Sequence, residues 1–294
     1  LHLGFAAFAN VCLPKEAVNP TSNADSTLIA YTIGGDLYVL DRPNGRNIRL
    51  TDDGSDVILN GYSSWVYYEE IFGRATRYCA FWWSPDGKKL AFYRFDNTEV
   101  PVFPIYSAEG QYGSLLNTRY PKAGCKNPDV QIAIINNPGK EDSKTVWADF
   151  PQADDCYYGT PFWSDDSNSL YVGRMPRLQN ELDLYKVCAA SGQKENVYHE
   201  TYKTWVEWPS SMIFTPTGLY VVRCFETNWE QIYYLDLSLK NKPSRKIYPS
   251  SSSSANLYRL TDQTLWATTL IGKDAKGILF FISKNDDSMR NTVY

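Results

Sequence analysis

The sequence predicts an all-β chain that forms part of a β-propeller of four-stranded antiparallel blades. A turn-and-strand unit recurs along the chain, and short strands follow one another at nearly even spacing with almost no helical periodicity. The chain is also rich in aromatic residues, with 22 Tyr, 13 Phe and 9 Trp, and these residues favour strands and fill the space between stacked sheets. Units of about 40–50 residues with four strands each are typical of propeller blades rather than of a sandwich.

Each unit begins with a tight turn that leads into an apolar strand. The turns are Asn23-Ala24-Asp25-Ser26, Ser84-Pro85-Asp86-Gly87, Ser164-Asp165-Asp166-Ser167 and Thr215-Pro216-Thr217-Gly218. Asn, Asp and Gly adopt the left-handed backbone that such turns need, and Pro pre-sets φ. The strands that follow are predicted at residues 28–32, 90–94, 170–173 and 219–223.

A returning strand is predicted in every unit, and it completes a hairpin. These strands lie at residues 36–41, 130–136, 183–187 and 231–236. The turns Arg42-Pro43-Asn44-Gly45 and Ala190-Ser191-Gly192 each lead into one more strand. Towards the end of the chain, residues 277–282 form a strand, 283–291 a connection and 292–294 the start of another strand. We therefore expect about four to five blades of a larger propeller, to which all of residues 1–294 belong.

Four segments depart from this rhythm. Residues 56–78 and 102–126 are predicted as long connections, which in a regular repeat are usually functional or form an interface. The serine run at 250–254 is interpreted as a flexible turn between blades. Residues 1–13 are predicted as a leading strand, with the stub of a targeting segment as the alternative.

The composition argues against several classes of protein. The net charge is −4 without a dense Lys/Arg run, which speaks against nucleic acid as a partner. No stretch approaches the roughly 18–20 apolar residues of a membrane span. Two His and six scattered Cys without a Cys-x-x-Cys motif predict no metal site, and we expect no cofactor. Buried thiols and disulfides remain equally open for the six cysteines.

The most informative stretch is Trp65-Val66-Tyr67-Tyr68-Glu69-Glu70-Ile71-Phe72. Two adjacent carboxylates inside an aromatic run favour a cation, and the free amino terminus of a peptide is one. Consecutive side chains of a strand point to opposite faces, so a shared grip requires a helical turn or an irregular loop here. The alternative is a solvated acidic pair on a surface loop.

Further motifs follow the octet in a fixed order. They are Trp82-Trp83-Ser84-Pro85-Asp86-Gly87, Asn97-Thr98-Glu99-Val100-Pro101, Tyr120-Pro121-Lys122-Ala123-Gly124 with Asn127-Pro128, and Arg177-Leu178-Gln179-Asn180. Together they resemble the β-propeller part of the dipeptidyl peptidase IV family of serine peptidases, with several stretches similar to bacterial members. The resemblance covers nearly all of residues 20–294.

The resemblance implies that Glu69 and Glu70 hold the protonated N-terminal amine of a peptide substrate. The intact protein would remove X-Pro or X-Ala dipeptides from peptide N-termini and would be a homodimer. The resemblance also implies three departures from the family pattern. Ser64 and Tyr68 stand where family members often carry an acidic residue, and Gly73 stands where some carry a residue that contributes a hydroxyl. These departures concern fine specificity rather than the binding of the amine. The sequence has no Asn-x-Ser/Thr site, which is unusual for a glycosylated animal ectodomain. Since several stretches resemble bacterial members, a periplasmic, cell-surface or secreted location is expected.

Catalytic residues are not predicted within this chain. A serine hydrolase of this type needs a Gly-x-Ser-x-Gly elbow, and the sequence contains none. We therefore expect the chain to be truncated at both ends, with the α/β-hydrolase domain outside it and no hydrolysis of Gly-Pro substrates by the chain alone. Arg174 and Arg177 are interpreted as structural partners of carboxylates between blades, with the lining of a central channel as the alternative. Two alternatives stay open, namely the propeller of a prolyl tripeptidyl peptidase and a non-catalytic propeller that binds peptides or proteins.

Overall fold

A computed structural model of the chain describes residues 12–152, 154–209, 211–224, 229–238, 246–247, 251–252, 256–262, 264–284 and 290–294. This part is almost wholly β, which confirms the predicted fold class. The chain divides into two compact units. The first holds residues 1–155, 166–170 and 187–194, and the second holds residues 156–165, 171–186 and 195–294.

The first unit contains two antiparallel sheets. The first sheet has strands β1 (Val18–Ser22), β2 (Leu28–Ile33), β3 (Asp36–Asp41) and β4 (Arg46–Arg49), in the order β1-β2-β3-β4. The chain then passes through β5 (Ile58–Asn60), β6 (Phe81–Trp83), β7 (Lys89–Asp96), a separate hairpin of β8 (Val102–Ser107) and β9 (Ser114–Arg119), β10 (Asp129–Asn136) and β11 (Lys144–Trp147). The second sheet has the order β11-β10-β7-β5, with β6 also paired to β7.

The turn between β6 and β7 shows why these turns form where the sequence predicts them. Gly87 has φ of 67°, a left-handed value that glycine adopts without a steric penalty. Its N–H donates to the carbonyl oxygen of Ser84 at 2.8 Å. The Asp86 carboxylate accepts from the N–H of Lys88 at 3.0 Å, so the side chain closes the turn before β7 begins.

Three further sheets follow along the chain. The third has β12 (Cys156–Tyr158), β13 (Phe162–Trp163), β14 (Ser169–Pro176), β15 (Glu181–Cys188) and β16 (Lys194–Thr201), in the order β12-β14-β15-β16 with β13 also on β14. The fourth joins β17 (Met212–Thr215), β18 (Gly218–Arg223), β19 (Gln231–Asp236) and β22 (Asn256–Arg259), and a small hairpin of β20 (Lys246–Ile247) and β21 (Ser251–Ser252) precedes β22. The last sheet contains β23 (Trp266–Lys273), β24 (Leu279–Lys284) and β25 (Thr292–Val293).

Neighbouring sheets within a unit share a hydrophobic core. In the first unit, the core between the first two sheets includes Leu37, Val39, Leu90 and Phe92. In the second unit, one core joins the third and fourth sheets, and a smaller one joins the fourth sheet to β23. Burying such side chains contributes about 1.5–3 kcal/mol each. Four-stranded antiparallel sheets that pack face to face are the blades that the sequence predicts.

The eight strands predicted after the turns and as returning strands are all confirmed, with bounds that differ by at most three residues. The long connection predicted at 102–126 does depart from the blade pattern, and it contains a hairpin that the sequence did not predict, since β8 and β9 pair along their whole length apart from the second sheet. Of the serine run, only Ser251 and Ser252 are described, and they form a strand rather than a turn because main-chain pairing does not depend on the side chain. Residues 1–11 of the predicted leading strand lie outside the described part, and Cys12 and Leu13 are not in a strand.

Candidate functional site

The two adjacent glutamates lie on a helical turn, as the sequence predicts. A π-helical turn runs over Tyr67–Ile71. It opens with the N–H of Tyr68 donating to the carbonyl oxygen of Ser64 at 3.0 Å and closes with the N–H of Phe72 donating to that of Tyr67 at 2.7 Å. The second bond spans five residues, which defines a π turn. Short π segments in proteins are frequent at functional sites.

Aromatic contacts fix this turn to the second sheet. Tyr67 is fully buried. Its ring lies edge-on to Phe72 at 5.4 Å and to Phe95 of β7 at 4.8 Å between centroids. Phe72 continues the cluster to Trp82, with ring centroids 5.6 Å apart. Because such pairs contribute about 0.5–1.5 kcal/mol each beyond burial, the inward face of the turn is held firmly.

The glutamates differ in exposure and in partners. The Glu69 side chain is 12% exposed, and its Oε2 accepts from Nε of Arg74 at 2.5 Å. Glu70 is exposed, and its side chain makes no hydrogen bond or ion pair within the described ranges. Consecutive side chains are about 100° apart in an α-helix, and less in a π turn because it holds more residues, so both carboxylates can face one region of space. The hydrogen bond that Arg74 donates to Glu69 raises the pKa of Arg74, and the Glu70 charge adds to the effect.

Arg74 reaches Glu69 because the chain reverses at Gly73. Gly73 has φ of 81° and ψ of 151°, a region that is essentially restricted to glycine. A 3₁₀ turn over Arg74–Thr76 follows, and the Thr76 hydroxyl donates to the Gly73 carbonyl oxygen at 2.8 Å. Arg74 was not among the residues that the sequence indicated. Its position five residues after Glu69 carries no signal unless the reversal at Gly73 is known.

Three stacked tyrosines border Glu69. The rings of Tyr62 and Tyr78 are 4.9 Å apart, and those of Tyr78 and Tyr68 are 3.8 Å apart and nearly parallel. Burial raises the pKa of Tyr78 to about 12, and Tyr62, Tyr68 and Glu69 add to the shift while Arg74 opposes it. The raised pKa keeps Tyr78 neutral at neutral pH, and Tyr68 of the stack is one of the positions at which the chain departs from the family pattern.

Ser64 is a second position at which the chain departs from the family pattern, and the burial of its side chain explains this departure. Its side chain is buried, and its hydroxyl has no hydrogen-bond partner in the described part of the chain. A carboxylate in the same place would lose its hydration without a compensating cation, which is costly. The local packing of this chain therefore suits a small neutral side chain at this position.

The other motifs of the first unit make contacts of their own, and one of them reaches the start of the turn. Trp65, at its start, lies edge-on to Tyr120 with 4.8 Å between ring centroids. The side-chain amide of Asn97 donates to the Val57 carbonyl oxygen at 3.2 Å, and Nη1 of Arg119 donates to the Val100 carbonyl oxygen at 2.8 Å. The Tyr120 motif thus contacts the start of the turn, and the Asn97 motif is held by main-chain carbonyl groups away from it.

The motif Arg177-Leu178-Gln179-Asn180 lies in the second unit, in the turn between β14 and β15. Gln179 has a left-handed φ of 53°, and its N–H donates to the Pro176 carbonyl oxygen at 2.8 Å. Arg174 lies 3.9 Å from the Asp183 carboxylate of the adjacent strand. This contact agrees with the structural interpretation of Arg174, although the pair lies within one sheet rather than between blades.

Three of the remaining predictions concern metals, membranes and cysteines. Over the described ranges, no three His, Cys, Asp or Glu side chains come together as metal ligands would. No helix found there has the length and apolar character needed to span a membrane. All six cysteines are thiols in the structure.

Comparisons with known proteins extend the resemblance seen in the sequence. The family model described as the dipeptidyl peptidase IV N-terminal region matches residues 7–294. The chain is 31% identical to dipeptidyl peptidase 4 of Arthroderma otae, in an alignment that covers 94% of this chain and 34% of the relative. It is 42% identical to dipeptidyl peptidase 4 of Bos taurus over 37% of the chain and 14% of that relative.

Two solved bacterial structures are similar in fold. One is a putative dipeptidyl aminopeptidase IV from Bacteroides ovatus, with a TM-score of 0.79, 24% identity, and coverage of 95% of this chain and 38% of the other. The second is dipeptidyl peptidase 4 of Porphyromonas gingivalis, with a TM-score of 0.76, 26% identity and coverage of 95% and 37%. The chain thus spans about a third of the length of the first relative and of both structures. By its sequence and its fold, this chain belongs to the dipeptidyl peptidase IV N-terminal region family.

Proposed function

We propose that the turn over Tyr67–Ile71 binds the protonated N-terminal amine of a peptide. The chain would then be the substrate-selecting propeller part of a serine exopeptidase that removes X-Pro or X-Ala dipeptides. One observation carries the proposal. Glu69 and Glu70 are adjacent on a helical turn, and Glu69 already accepts a hydrogen bond from a cationic group, Arg74, at 2.5 Å.

The chemistry of an ammonium group suits this pair of carboxylates. An ammonium has three donors, and each hydrogen bond to a carboxylate contributes about 1.5–3 kcal/mol. Two anions side by side repel each other, and a cation between them relieves the repulsion. In the absence of substrate, Arg74 supplies part of this charge to Glu69 from a largely exposed position. A substrate amine would take its place while Glu70 supplies a second acceptor.

This grip would also set the length of the released product. When the amine is fixed, the distance from it to the nucleophile of a hydrolase domain decides how many residues are removed. A dipeptidyl peptidase and a prolyl tripeptidyl peptidase differ in this distance and share the amine site. A non-catalytic propeller would bind the amine without any cleavage.

Product analysis on the longer protein that contains the hydrolase region tests the proposal. We expect release of Gly-Pro from a Gly-Pro-Ala-Ala peptide and very little cleavage of its N-acetylated form. A tripeptide product would favour the tripeptidyl alternative. Equal cleavage of the free and N-acetylated peptides would contradict an amine site, and saturable binding without cleavage would favour the non-catalytic propeller.

The hairpin of β8 and β9 supports a homodimer as the assembled form. It carries an unusual set of exposed apolar side chains, namely Val102, Phe103, Tyr106, Tyr112, Leu115 and Leu116. Exposed apolar patches of this kind on soluble proteins commonly mark interaction surfaces. A second copy of the protein is the proposed occupant.

A periplasmic, cell-surface or secreted location is also part of the proposal, and it rests on the sequence alone. Fractionation of the source cells tests it. Recovery of the protein in the cytosolic fraction would contradict this location.

A further inference from the structure

The second unit contains a cavity of about 350 Å³ that the proposed function does not use. It lies where β16 and β18 end, and the segment after β16 forms one of its walls. We call it the Trp205 cavity. The residues that line it include Tyr202, Trp205, Glu207, Trp208, Arg223 and Glu230.

Backbone contacts hold the aromatic wall of the Trp205 cavity in place. The N–H of Tyr202 donates to the Asn180 carbonyl oxygen at 2.8 Å, and that of Val206 donates to the Gln179 carbonyl oxygen at 2.9 Å. The ring of Trp208 lies so close to Gly159 that a Cβ there would come within 2.7 Å of it. The Arg177-Leu178-Gln179-Asn180 motif therefore shapes this cavity, which gives the motif a structural role.

The charges in the lining favour a cation. Arg223 is 7% exposed. Its Nη1 donates to the Glu207 carbonyl oxygen at 2.7 Å, and its other nitrogens donate to the Glu200 carboxylate. An anion would therefore compete with these partners for a buried guanidinium. Among the described residues, the Glu207 carboxylate makes no hydrogen bond or ion pair, and the Glu230 carboxylate accepts one hydrogen bond, from Nε1 of Trp266 at 3.1 Å.

The aromatic rings add to this preference. Tyr202 and Trp205 are 37% and 51% exposed, so a ligand can reach them. The face of a Trp or Tyr ring attracts a cation, and the attraction is greatest where water is excluded. An alkyl stem can pack on the same rings while its charged end approaches a carboxylate. Burial, and then the Glu230 charge, raises the pKa of the Cys224 thiol, which is consistent with a negative potential.

We propose that the Trp205 cavity binds an organic cation on an alkyl stem, such as the side chain of lysine or arginine in a peptide. The site is independent of the proposed amine site, because it needs neither Glu69 nor Glu70. Its ligand need not have a free N-terminus. A blocked peptide can therefore test this cavity without engaging the other site.

Binding to the chain can be measured by tryptophan fluorescence and by saturation-transfer NMR. The probes are the peptide Ac-Ala-Lys-Ala-NH₂, its norleucine and glutamate counterparts, and n-pentylammonium. We expect the lysine peptide to bind saturably and to weaken with added salt, and the other two peptides to bind less tightly. If n-pentylammonium also binds, an alkyl cation alone is sufficient for binding. If n-pentylammonium does not bind, the ligand is a cationic side chain within a peptide.

Two substitutions locate the binding. Glu207→Gln removes one charge and Trp205→Leu removes one aromatic face from a half-exposed position, and each should weaken binding of the lysine peptide about two- to five-fold. Glu195→Gln, an exposed glutamate of β16 outside the lining, is the matched control and should leave binding unchanged. The proposal is overturned if norleucine binds as well as lysine, if neither cation binds, or if Glu207→Gln and Trp205→Leu bind like the control.

Discussion

At the scale of residues, the proposed function depends on which cation Glu69 holds. Arg74 holds it here from a side chain that is 74% exposed, and exposed ion pairs contribute little to stability. The pair is therefore easy to exchange. The sequence indicates the two carboxylates because adjacent acids in an aromatic run call for a cation. Arg74 could not be predicted, since its approach depends on the backbone reversal at Gly73.

Glu69→Gln and Glu70→Gln test the grip directly. Each variant loses a charge-assisted hydrogen bond to the substrate amine, on the order of 1.5–3 kcal/mol, so kcat/KM of the longer protein should fall about 10- to 150-fold. Cleavage in the wild type should also fall as pH rises through the amine pKa of about 7.7–8.0, because the amine loses its charge. The control is Glu141→Gln on an exposed turn. Unchanged kcat/KM in both variants would contradict the amine site and leave the similarity of fold as the only support for the proposed function.

Arg74→Gln tests whether the resident cation competes with substrate. Without Arg74, Glu69 should bind the amine more readily, and KM for a dipeptidyl substrate should fall a few-fold with little change in kcat. Arg77→Gln, an exposed arginine on the next turn, is the control. A rise in KM would instead mean that Arg74 positions Glu69 for the substrate.

At the scale of elements, the strands of the sheets could be predicted from the sequence, and the hairpin of β8 and β9 that is inserted between them could not. Turns such as Ser84-Pro85-Asp86-Gly87 carry their own hydrogen bonds, so β7 and its counterparts begin where the turn chemistry ends. The hairpin of β8 and β9 escaped prediction because most of its side chains are exposed, which removes the alternation that marks a half-buried strand. Its left-handed residues Gly110 and Gly113 were the available signal.

Gly73→Ala tests the reversal between the two helical turns. The φ and ψ values at Gly73 are essentially restricted to glycine, so alanine should destabilise the chain by about 1–3 kcal/mol in urea unfolding. Gly272→Ala is the control, since Gly272 lies in a strand with open space around it and no left-handed φ. Equal stability of both variants would mean that the turn rearranges freely.

The tyrosine stack predicts a loss of stability in alkali. Because the pKa of Tyr78 is about 12 in the folded chain and about 10 when unfolded, its contribution is complete below pH ~10 and disappears as pH rises through ~12. Unfolding followed across this interval should show the loss, and Tyr78→Phe should reduce it. An identical alkaline profile in Tyr78→Phe would assign the loss to other groups.

At the scale of the whole molecule, the sequence pattern and the fold both indicate the dipeptidyl peptidase IV N-terminal region family, and both indicate propeller blades. The relation of the sheets about one axis stays a prediction, as does the α/β-hydrolase domain outside this chain. Oligomeric state belongs to the same scale, because it depends on surfaces that no single element defines. The exposed apolar side chains of the β8–β9 hairpin are the part of the chain from which it can be tested.

Leu115→Lys combined with Leu116→Lys should convert a dimer of the longer protein into a monomer. Two charges in an apolar interface would be desolvated on association, which opposes it. Light scattering after size-exclusion chromatography measures the mass. Leu178→Lys, on an exposed residue of the second unit, is the control. A dimer that persists in the double variant would place the interface elsewhere.

The hydrogen bond from Phe72 to Tyr67 has a consequence for how relatives should be aligned with this chain. A π turn holds one residue more than the α turn it replaces. The number of residues between Tyr67 and Phe72 therefore matters as well as their identity. A relative that lacks one residue here could keep both acids and still aim one of them about 100° away. Gap placement in this stretch would then predict loss of amine selectivity even where the letters Glu-Glu are retained.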